Sequence, residues 1–401
     1  MNREISPPPT KRRRIEPDRT EIVKHENDIL SIYSWNINGI SPFVQPSIKS
    51  FFQSKTHDKK PDDTAHASLR DFLRRQNWPT VLCLQEVKMN PDDEATKRAV
   101  EKAVRRPPSS SSSSSASTTH VDNNDKKEPD YRAFFCLPSD PHNARGFGRK
   151  VYGVCTIVRV DFLEATNAVV RTVDWDLEGR FSIIETRQSP SSSPATTAFP
   201  TLSIWNIYAV NGTSSPYKDP RTGLVTGTRH TRKLAVHTLL RRECKQLERK
   251  GYAVVLAGDM NIARERIDGH PGLRTFPEQH VLNREDFNGK FFGHGRGVGS
   301  EVGGKIGDDE GLGAIDTFRF LHRDKKGYTY YPRGGTFGSS CDRVDMVICS
   351  ASLRENIASA GMLETPADRG PSDHCPLYAT FDFGPGKKSR GEANISNDRK
   401  E

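Results

Sequence analysis

Residues 254–261 read Val-Val-Leu-Ala-Gly-Asp-Met-Asn, an apolar run that ends in an acid and an amide. A short apolar run that stops at glycine and polar residues predicts a buried β-strand. Asp259 and Asn261 then lie at the end of that strand, where rigid backbone meets solvent and where catalytic groups are commonly held. A single strand-ending Asp or Asn is more often a turn former, so the rest of the chain has to decide between the two interpretations.

Similar apolar runs recur along the chain, and together they indicate the fold class. The runs that predict strands are Ile29 to Trp35, Val81 to Leu84, Tyr152 to Val158, Phe181 to Glu185, Leu202 to Val210, Tyr252 to Ala257, Val344 to Cys349 and Leu377 to Phe383. Helical periodicity appears over Ser68 to Asn77 and over Thr231 to Lys250. Many strands interleaved with few helices predict an α/β sandwich in one domain.

Polar side chains also lie where other predicted strands begin or end. They are Asn36, Asn38, Glu86, Tyr208, Asn211, Asp345, Asp373 and His374. Each has an ordinary explanation by itself, since a lone Glu is usually a solvated charge and a lone His a structural residue. In combination they supply a base, an imidazole, amide donors and the hard oxygen ligands that Mg²⁺ or Mn²⁺ prefers. These are the groups that attack on a phosphodiester requires.

The composition favours a polyanionic partner. Lys and Arg number 60 against 51 Asp and Glu, a net charge of +9. This excess favours polyanions through counterion release, although plain solubility explains it equally well. Seven Cys without a CxxC pair argue against a structural zinc site and fit a reducing compartment. No apolar run approaches the ~20 residues that a membrane helix needs, so we expect a soluble intracellular protein that does not contact a membrane.

Segments of biased composition set the expected domain bounds. Residues 1–27 form a basic, Pro-rich tail that we expect to be disordered, like residues 386–401. Low-complexity inserts are predicted near residues 105–130, 188–200 and 291–313 within one domain over residues 28–385. The basic run Lys11 to Arg14 is either a nuclear import signal or an ordinary basic tail. We expect a nuclear protein, with the cytoplasm as the alternative.

Eight motifs, in this order, resemble those of the exonuclease III / abasic-site endonuclease family of the endonuclease–exonuclease–phosphatase superfamily. They are SWNING, LCLQEVK, YGVCTIVR, EGRFSIIE, NIYAVNG, LAGDMNIA, DRVDMVICS and PSDHCP, and they run from Ser34 to Pro376. The resemblance implies a DNase I-like, four-layer α/β sandwich, in which two packed mixed β-sheets are flanked by helices. It also implies a site at one mouth between the two sheets.

The resemblance further implies a metal site. Glu86 is similar to the family's main metal-ligand glutamate, and Asp373 resembles its second acidic contact. Asn38 stands where some members carry Asp, which implies contact through water. The full set of residues expected around Mg²⁺ or Mn²⁺ is Asn36, Asn38, Glu86, Asp259, Asn261, Asp373 and His374.

Other roles carried over from the family concern the phosphate and the attacking water. Asp259 resembles the general base, and Asn261 the residue that orients the water or a phosphate oxygen. His374 resembles a donor to the scissile phosphate, with Asp345 as the carboxylate that orients the imidazole and keeps it cationic. Tyr208 and Asn211 look like the phosphate-facing pair, in which the tyrosine either assists the leaving group or only binds phosphate.

The residues expected to recognise the substrate depart from the family pattern. Members that accept abasic DNA close an apolar, aromatic pocket around the flipped sugar, and some carry Trp where this chain has Asp342. Tyr330 and Val344 could still form part of such a pocket. The predicted substrate-binding residues are Arg229, Arg232, Lys233, Tyr330 and Arg343. For the cations near residue 230, a solvated basic loop and helix start is an equally good explanation.

These features predict a metal-dependent phosphodiesterase that acts on DNA, most simply as a monomer on a duplex. Abasic-site cleavage and 3′–5′ exonuclease activity in base excision repair are the expected reactions. The alternatives within the superfamily are an RNA deadenylase and an inositol or lipid phosphatase. Inositol phosphatases usually carry Trp before Gly-Asp and Arg two residues after the Asn, whereas this chain has Leu256-Ala257 and Ile262-Ala263 there. A catalytically inactive DNA-binding scaffold is disfavoured, because no motif Glu, Asp or His is lost.

Overall fold

The computed structural model describes residues 28–44, 68–107, 128–144, 151–187, 199–293, 311–333, 336 and 338–384. The predicted tails, residues 1–27 and 386–401, lie outside the described residues. Most of each predicted insert near residues 105–130, 188–200 and 291–313 also lies outside them. The expectations about these segments therefore stay predictions.

The described chain alternates between strands and helices, with short 3₁₀ turns at Ser41–Phe43, Arg266–Asp268 and Ala351–Asn356. The strands are β1 (Ile29–Asn36), β2 (Val81–Gln85), β3 (Tyr131–Cys136), β4 (Val154–Arg159), β5 (Val169–Arg171), β6 (Phe181–Glu185), β7 (Leu202–Tyr208), β8 (Pro216–Lys218), β9 (Val225–Thr228), β10 (Ala253–Asp259), β11 (Gly269–His270), β12 (Ile315–Asp316), β13 (Cys341–Asp342), β14 (Asp345–Cys349), β15 (Ile357–Met362) and β16 (Leu377–Asp382). The helices are α1 (Leu69–Arg75), α2 (Glu94–Val104), α3 (Val160–Ala165), α4 (Arg229–Arg249), α5 (Gln279–Phe291), α6 (Thr317–Leu321) and α7 (Pro366–Arg369).

Two six-stranded mixed sheets form the centre of the fold. Their strand orders are β15-β16-β1-β2-β4-β3 and β12-β14-β10-β7-β6-β5, and β11-β13 and β8-β9 form two small ladders beside them. The mixed α/β architecture predicted from the sequence is thereby confirmed. Among the described residues, none of the helices combines the length and apolar character that a membrane span requires.

Three apolar layers hold the sheets and helices together, because alternate residues of a buried strand face opposite sides. The layer between the two sheets includes Ile32, Val81, Ile204, Val255 and Phe381. The outer face of the first sheet packs on α1 and α2 through Trp35, Leu82, Leu69, Phe72 and Val100. The outer face of the second sheet packs on α4 and α5 through Trp205, Leu256, Val236, Leu240 and Phe287. The order of layers is therefore helix, sheet, sheet, helix.

The strand directions bring the predicted site residues to one mouth of the sandwich. In the first sheet, β1 and β2 run parallel and Asn36 aligns with Gln85. In the second, β7 and β10 run parallel and Tyr208 aligns with Asp259. The antiparallel strand β14 begins at this same edge, where Asp345 pairs with Asp259. The ends of parallel strands and the start of an antiparallel neighbour share an edge, so distant parts of the sequence converge there.

A predicted substrate-binding residue, Arg343, is placed in the interior, which corrects that prediction. Its side chain is 1% exposed, and its guanidinium binds Asp268 at 2.8 and 3.0 Å and Asp316 at 2.7 Å. Asp316 caps α6, and Asp268 precedes β11. Arg343 therefore joins the start of α6 to the segment before β11. Its buried side chain has no surface with which to contact a substrate.

This buried cluster predicts a large loss of stability in Arg343→Leu. The substitution leaves Asp268 and Asp316 without their shared cation, and breaking a buried ion pair from one side destabilises a fold by about 3–5 kcal/mol. Urea denaturation of the variant at neutral pH measures the loss. Arg75→Leu, at an exposed position at the end of α1, is the matched control and should change stability by no more than about 0.5 kcal/mol.

The same prediction has a pH signature. Burial would raise the pKa of Asp316, but Arg343 and Arg264 outweigh burial and lower the pKa to about 2. A carboxylate with a depressed folded pKa stabilises the fold above its unfolded pKa, near 3.8, and loses that contribution as pH falls towards 2. The difference between wild type and Arg343→Leu should therefore shrink below about pH 4. An equal difference at all pH values would contradict the assigned ion pair.

Candidate active site

Three of the predicted site residues adopt a backbone conformation that is uncommon for residues other than glycine. Asn38, Glu86 and Asn261 have φ values of 53°, 52° and 52°. Asn tolerates this left-handed region, but Glu adopts it at a cost of order 1–3 kcal/mol. Such strain persists only where surrounding contacts enforce it. The left-handed conformation turns each side chain towards the mouth just after its strand ends.

Gly258, next to Asp259, is required by the close approach of β10 to β7. A Cβ built on this glycine would lie 1.9 Å from the carbonyl oxygen of Ile207, far inside any real contact. The glycine therefore lets the last residue of β10 align with Tyr208 without pushing the strands apart. This is the physical reason for a glycine immediately before the acid.

The amide of Asn36 joins the two sheets at this mouth. Its Nδ2 donates to Oε1 of Glu86 at 3.0 Å and to Oδ2 of Asp259 at 3.0 Å. Glu86 follows β2 of the first sheet, whereas Asp259 ends β10 of the second. The side-chain oxygen of Asn36 accepts from the backbone N–H of Asn38 at 3.2 Å. One fully buried amide thus fixes carboxylates of both sheets relative to each other.

Next to this amide, a lysine cation lies among the predicted metal ligands. The Lys88 ammonium is 2.6 Å from Oε2 of Glu86 and also donates to Oδ1 of Asn38. The amide of Asn38 in turn donates to Oδ1 of Asp373 at 2.8 Å. Burial would raise the pKa of Glu86, but Lys88, Asn36 and a hydrogen bond from Tyr208 outweigh burial and lower it. Glu86 is therefore held as a carboxylate.

A second cluster, formed by Asp259, Asp345 and His374, lies on the side of the second sheet. One ligand atom from each residue lies within 4.8 Å of the others, and Nδ1 of His374 is 2.8 Å from Oδ2 of Asp345. Burial and the neighbouring Asp345 carboxylate raise the pKa of Asp259 to about 7. Burial alone would lower the pKa of His374, but the carboxylates of Asp345, Asp259 and Asp373 raise it to about 9.

Backbone and side-chain contacts hold Asp259 and Asn261 in fixed orientations. The N–H of Asn261 donates to Oδ1 of Asp259 at 2.8 Å, and its side-chain amide donates to the carbonyl of Ala209 at 2.9 Å. Because Asn36 occupies the other carboxylate oxygen, the orientation of Asp259 is determined on both sides. The site is therefore preorganised around this carboxylate.

Tyr208 interacts with acids of both clusters, Glu86 and Asp259. Burial and the nearby Glu86 carboxylate raise the pKa of Tyr208, so its hydroxyl stays protonated and donates to Glu86. The Arg180 guanidinium lies 4.8 Å from the centre of the Tyr208 ring and donates to the carbonyls of Tyr208 and Ala209. Asn211, three residues further on, is exposed, and its role at the phosphate stays a prediction.

The predicted substrate-binding cations near residue 230 have internal partners. Lys233 is fully buried, and its ammonium donates to the carbonyls of Val210, Met260 and Asn261 at 2.8, 3.0 and 3.2 Å. Its predicted role as a grip on the nucleic-acid backbone is therefore corrected, because all three N–H donors point into the fold. Burial lowers the pKa of Lys233 to about 7.

Arg229 and Arg232 are partly buried beside an internal carboxylate. Arg229 binds Glu178 at 2.7 Å, and Arg232 donates to the carbonyl of Trp175 at 3.0 Å. Both guanidinium groups also lie over the ring of Tyr217, at 5.6 and 5.4 Å. Their substrate-binding role stays a prediction, since each keeps some exposed surface.

Tyr330 is placed next to the predicted catalytic imidazole. Its ring centre lies 4.8 Å from that of His374, and its backbone pairs with those of His374 and Asp342. Sequence reasoning missed two cations that shape this mouth, Lys88 and Arg180. Both lie inside the quoted motifs, LCLQEVK and EGRFSIIE. The available signal was a charged residue within or next to a run that otherwise predicts a buried strand.

The residues at the mouth fit a divalent metal ion. Oxygen donors dominate the set, which is the chemistry of a hard cation. Oδ1 of Asp345 is buried without a hydrogen-bond partner, and such an acceptor is compensated by a cation. The Lys88 ammonium between Glu86 and Asn38 shows that positive charge is accommodated on the other side of the site. Both clusters are therefore compatible with metal binding.

The sandwich and its site define the chain as a hydrolase of phosphodiester bonds, of the metal-dependent kind. A model of the Endonuclease/Exonuclease/phosphatase family matches residues 33–374. The chain therefore belongs to the Endonuclease/Exonuclease/phosphatase family, and the resemblance recognised in its motifs is confirmed. No curated protein sequence matches the chain significantly.

Solved structures of similar fold include three abasic-site (AP) endonucleases or related domains. An AP endonuclease from Leishmania major aligns with a TM-score of 0.54 at 17% identity and covers 89% of each chain. An AP endonuclease from Archaeoglobus fulgidus aligns with a TM-score of 0.50 at 18% identity, over 88% of this chain and 99% of that one. The catalytic domain of Xenopus laevis APE2 aligns with a TM-score of 0.50 at 18% identity, over 89% and 94%. At these identities the likeness establishes the fold.

The contact between Asp345 and His374 predicts the titration of the imidazole. In the metal-free protein, His374 should titrate near pH 9, and Asp345→Asn should lower its pKa because the largest favourable charge is removed. Proton–nitrogen NMR of the labelled imidazoles measures both values. His237, whose pKa burial lowers to about 4, is the internal control and should not change.

Stability gives an independent measure of the same pair. A histidine whose folded pKa is raised stabilises the fold below its unfolded pKa of 6.5, and that contribution disappears as pH rises through about 9. Asp345→Asn should therefore be most destabilised relative to wild type below pH 6.5. Identical titration of His374 in both proteins would contradict Asp345 as the cause.

Proposed function

We propose that this protein is a Mg²⁺-dependent phosphodiesterase that cuts DNA, as an abasic-site endonuclease or a 3′–5′ exonuclease. The observation that carries the proposal is the pair Asp259 and His374, whose shared buried cluster raises both pKa values, to about 7 and to about 9. Between those two values the carboxylate can act as a base while the imidazole stays a cationic donor. Hydrolysis of a phosphate ester needs a base for the attacking water and a cationic donor for the phosphoryl oxygens.

Asp259 is assigned as the general base. A base works best when its pKa is close to the operating pH, and about 7 meets that condition. The hydrogen bonds from Asn36 and from the N–H of Asn261 hold its two oxygens. The remaining lone pairs can accept the proton of an attacking water. Asn261 is assigned to orient that water or a phosphate oxygen.

We assign His374 and Tyr208 to stabilise the negative charge that develops on the phosphoryl oxygens. Asp345 keeps the imidazole cationic, so His374 donates from Nε2 while Nδ1 binds the carboxylate. Tyr208 stays protonated and donates to Glu86 in the free site, and we assign its single O–H to turn from that carboxylate to the phosphate when the substrate binds. These groups bind the transition state more strongly than the substrate, because its phosphoryl oxygens carry more charge.

A bound divalent metal supplies Lewis-acid polarisation of a phosphoryl oxygen. Glu86, Asn38 and Asp373 are assigned to hold it, with Asn36 fixing the carboxylate of Glu86. The oxygen-rich donor set supports Mg²⁺ as the physiological ion, with Mn²⁺ as the chemical alternative.

DNA is favoured over the other substrates of the family by charge and by relatives of similar fold. The net charge of +9 suits a polyanion, and the three similar structures named above are described as AP endonucleases or as an APE2 domain. An RNA deadenylase and an inositol or lipid phosphatase are the alternatives. A duplex substrate, a monomeric enzyme and a nuclear role in base excision repair, supported by the basic run Lys11 to Arg14, belong to the same proposal.

One labelled-strand assay tests the proposal. The full chain is incubated with a duplex carrying an abasic analogue, a duplex with an intact recessed 3′ end, a duplex with a 3′-phosphate and an RNA strand, each with Mg²⁺ and with EDTA. We expect Mg²⁺-dependent cleavage of at least one DNA substrate. Cleavage of RNA alone would reject DNA as the substrate.

Asp259→Asn is the catalytic control for that assay. It keeps the size of the side chain but replaces one of the two acceptor oxygens and removes the base, so turnover should fall at least ~100-fold, the scale of general-base contributions. DNA binding, measured by fluorescence anisotropy, should persist. Near-normal turnover would remove Asp259 from its assigned role.

Glu86→Gln tests the metal assignment. Losing the ligand charge should raise the Mg²⁺ concentration for half-maximal activity at least ~10-fold, which is the lower end of the effect of altering a metal ligand's environment. The measurement is a Mg²⁺ titration of cleavage rate at fixed DNA. Glu355→Gln, at an exposed position, should leave the titration unchanged. The same metal dependence in both variants would exclude Glu86 as a ligand.

A further inference from the structure

A row of backbone pairings connects the active-site histidine with the segment that follows β10. Tyr330 forms antiparallel bridges with both His374 and Asp342. Asp342 pairs on its other side with Gly269 in the β11–β13 ladder. The chain that continues from Gly269 towards Phe276 therefore starts from the wall of the active site, although it is separated from His374 by more than a hundred residues of sequence.

Arg274 on this segment is held against that wall by a buried carboxylate. Its Nη2 lies 2.8 Å from Oδ2 of Asp342, whose side chain is 7% exposed, while the Arg274 side chain is 44% exposed. The guanidinium lies 6.0 Å from the ring centre of Tyr330, and that ring lies 4.8 Å from the imidazole of His374. The cation is therefore within about 11 Å of the imidazole. Guanidinium carries five N–H donors, so the pair with Asp342 orients Arg274 and leaves donors for a ligand.

Arg284 of α5 fastens the segment that carries Arg274. Its Nη2 donates to the carbonyl of Arg274 at 2.7 Å, and its Nε donates to the carbonyl of Ala263 at 2.8 Å. Arg284 therefore holds the chain after β10 at two points, Ala263 and Arg274. A positioned cation binds an anion with less loss of conformational entropy than a free surface cation does.

Phe276, two residues beyond Arg274, is 88% exposed, more than any other large hydrophobic side chain among the described residues. A single exposed apolar residue needs no special explanation. Its place in the chain is what distinguishes Phe276, because this exposed phenyl ring follows by two residues a guanidinium that is oriented at the wall of the active site. Aromatic rings stack on bases and cations bind the phosphates of the same strand, which is the usual division of labour in binding unstacked nucleic acid.

We infer that Arg274 and Phe276 bind one nucleotide beside the scissile phosphate, the guanidinium on its phosphate and the phenyl ring stacked on its base. The inference rests on the proposed function and adds a substrate requirement to it. A base next to the cut has to leave the duplex stack to meet Phe276, so DNA with an unpaired or frayed nucleotide at that position is the preferred substrate. Asp342 acts as a positioning residue, through Arg274.

Salt dependence separates the two contacts. Binding is measured by fluorescence anisotropy in the full chain carrying Asp259→Asn, with Mg²⁺, over a series of salt concentrations. Arg274→Ala should reduce the slope of log affinity against log salt by about 0.7–0.9, which corresponds to one lost phosphate contact. Phe276→Ala should weaken binding about 5- to 100-fold at constant slope, the range of one base–aromatic stack. Arg274→Lys should restore the slope, and Phe276→Trp the affinity.

A fluorescent base locates the stack. DNA with 2-aminopurine at the nucleotide beside the cut should fluoresce less when bound to the protein with Phe276 than when bound to Phe276→Ala, because only the intact ring quenches the unstacked base. Because Phe276 is almost fully exposed, its replacement does not disturb the fold. Phe320 and Arg354 form a second exposed Phe–Arg pair, with the guanidinium 5.0 Å from the ring. Phe320→Ala and Arg354→Ala are the matched controls and should leave both readouts unchanged.

The outcomes separate this inference from the proposed function. Wild type that cuts DNA, with Phe276→Ala and Arg274→Ala both behaving like the controls, would overturn the inference and leave the function intact. Wild type that neither binds nor cuts any DNA would reject the proposed function itself. Loss of affinity in Phe276→Ala with undiminished quenching of 2-aminopurine would also overturn the stacking contact.

Discussion

The amide of Asn36 is the contact on which the geometry of this site depends. It donates to Glu86 of the first sheet and to Asp259 of the second, so it fixes the relative position of the two sheets at their shared mouth. Below it, Nε2 of Gln85 donates to Asn206 across the same gap at 2.8 Å, and Asn206 donates to the carbonyls of Leu84 and Cys155. Buried amide groups are costly unless they are hydrogen-bonded, so these directional contacts favour one relative position of the two sheets.

The shared amide also explains how two nearby carboxylates take different roles. Glu86 has Lys88 beside it, and the pKa of Glu86 is lowered despite burial. Asp259 accepts hydrogen bonds from the neutral amide of Asn36 and the N–H of Asn261, and burial and the like charge of Asp345 raise its pKa to about 7. The first carboxylate is therefore suited to bind a cation and the second to exchange a proton. Asp345 pairs with the imidazole of His374 and raises the pKa of that ring. The assignment of ligand and base follows from the neighbours of each acid, since both acids end strands in the same way.

How much of this was predictable from the sequence depends on how local each signal is. All eight predicted strands exist, and all of them lie inside the two large sheets; the four edge strands, β3, β5, β12 and β15, were missed. An edge strand is buried on fewer sides and is shorter or more polar, as the half-buried Val169–Arg171 shows. The site residues were recognisable because each directly follows or begins an interior strand. The errors, Lys233 and Arg343, are long cations whose partners come from other parts of the chain, and no local pattern reveals such partners.

These buried cations change how the net charge should be understood. Arg180, Lys233, Arg319 and Arg343 are all below 9% exposed, and they bind carbonyls and carboxylates inside the fold. The charges of the three arginines are largely neutralised by Glu178, Asp268 and Asp316 before any ligand approaches. The formal charge of +9 therefore describes the attraction of the whole chain to a polyanion and says little about where the strand lies. The path of the bound strand must be set by cations that are both exposed to solvent and held in a fixed orientation. At the mouth this combination is found in Arg274, which Asp342 holds from behind. Asp342 thus turns the wall of the site into a support for a phosphate-binding cation. Substrate recognition should therefore depend on charge and base stacking more than on an apolar sugar pocket.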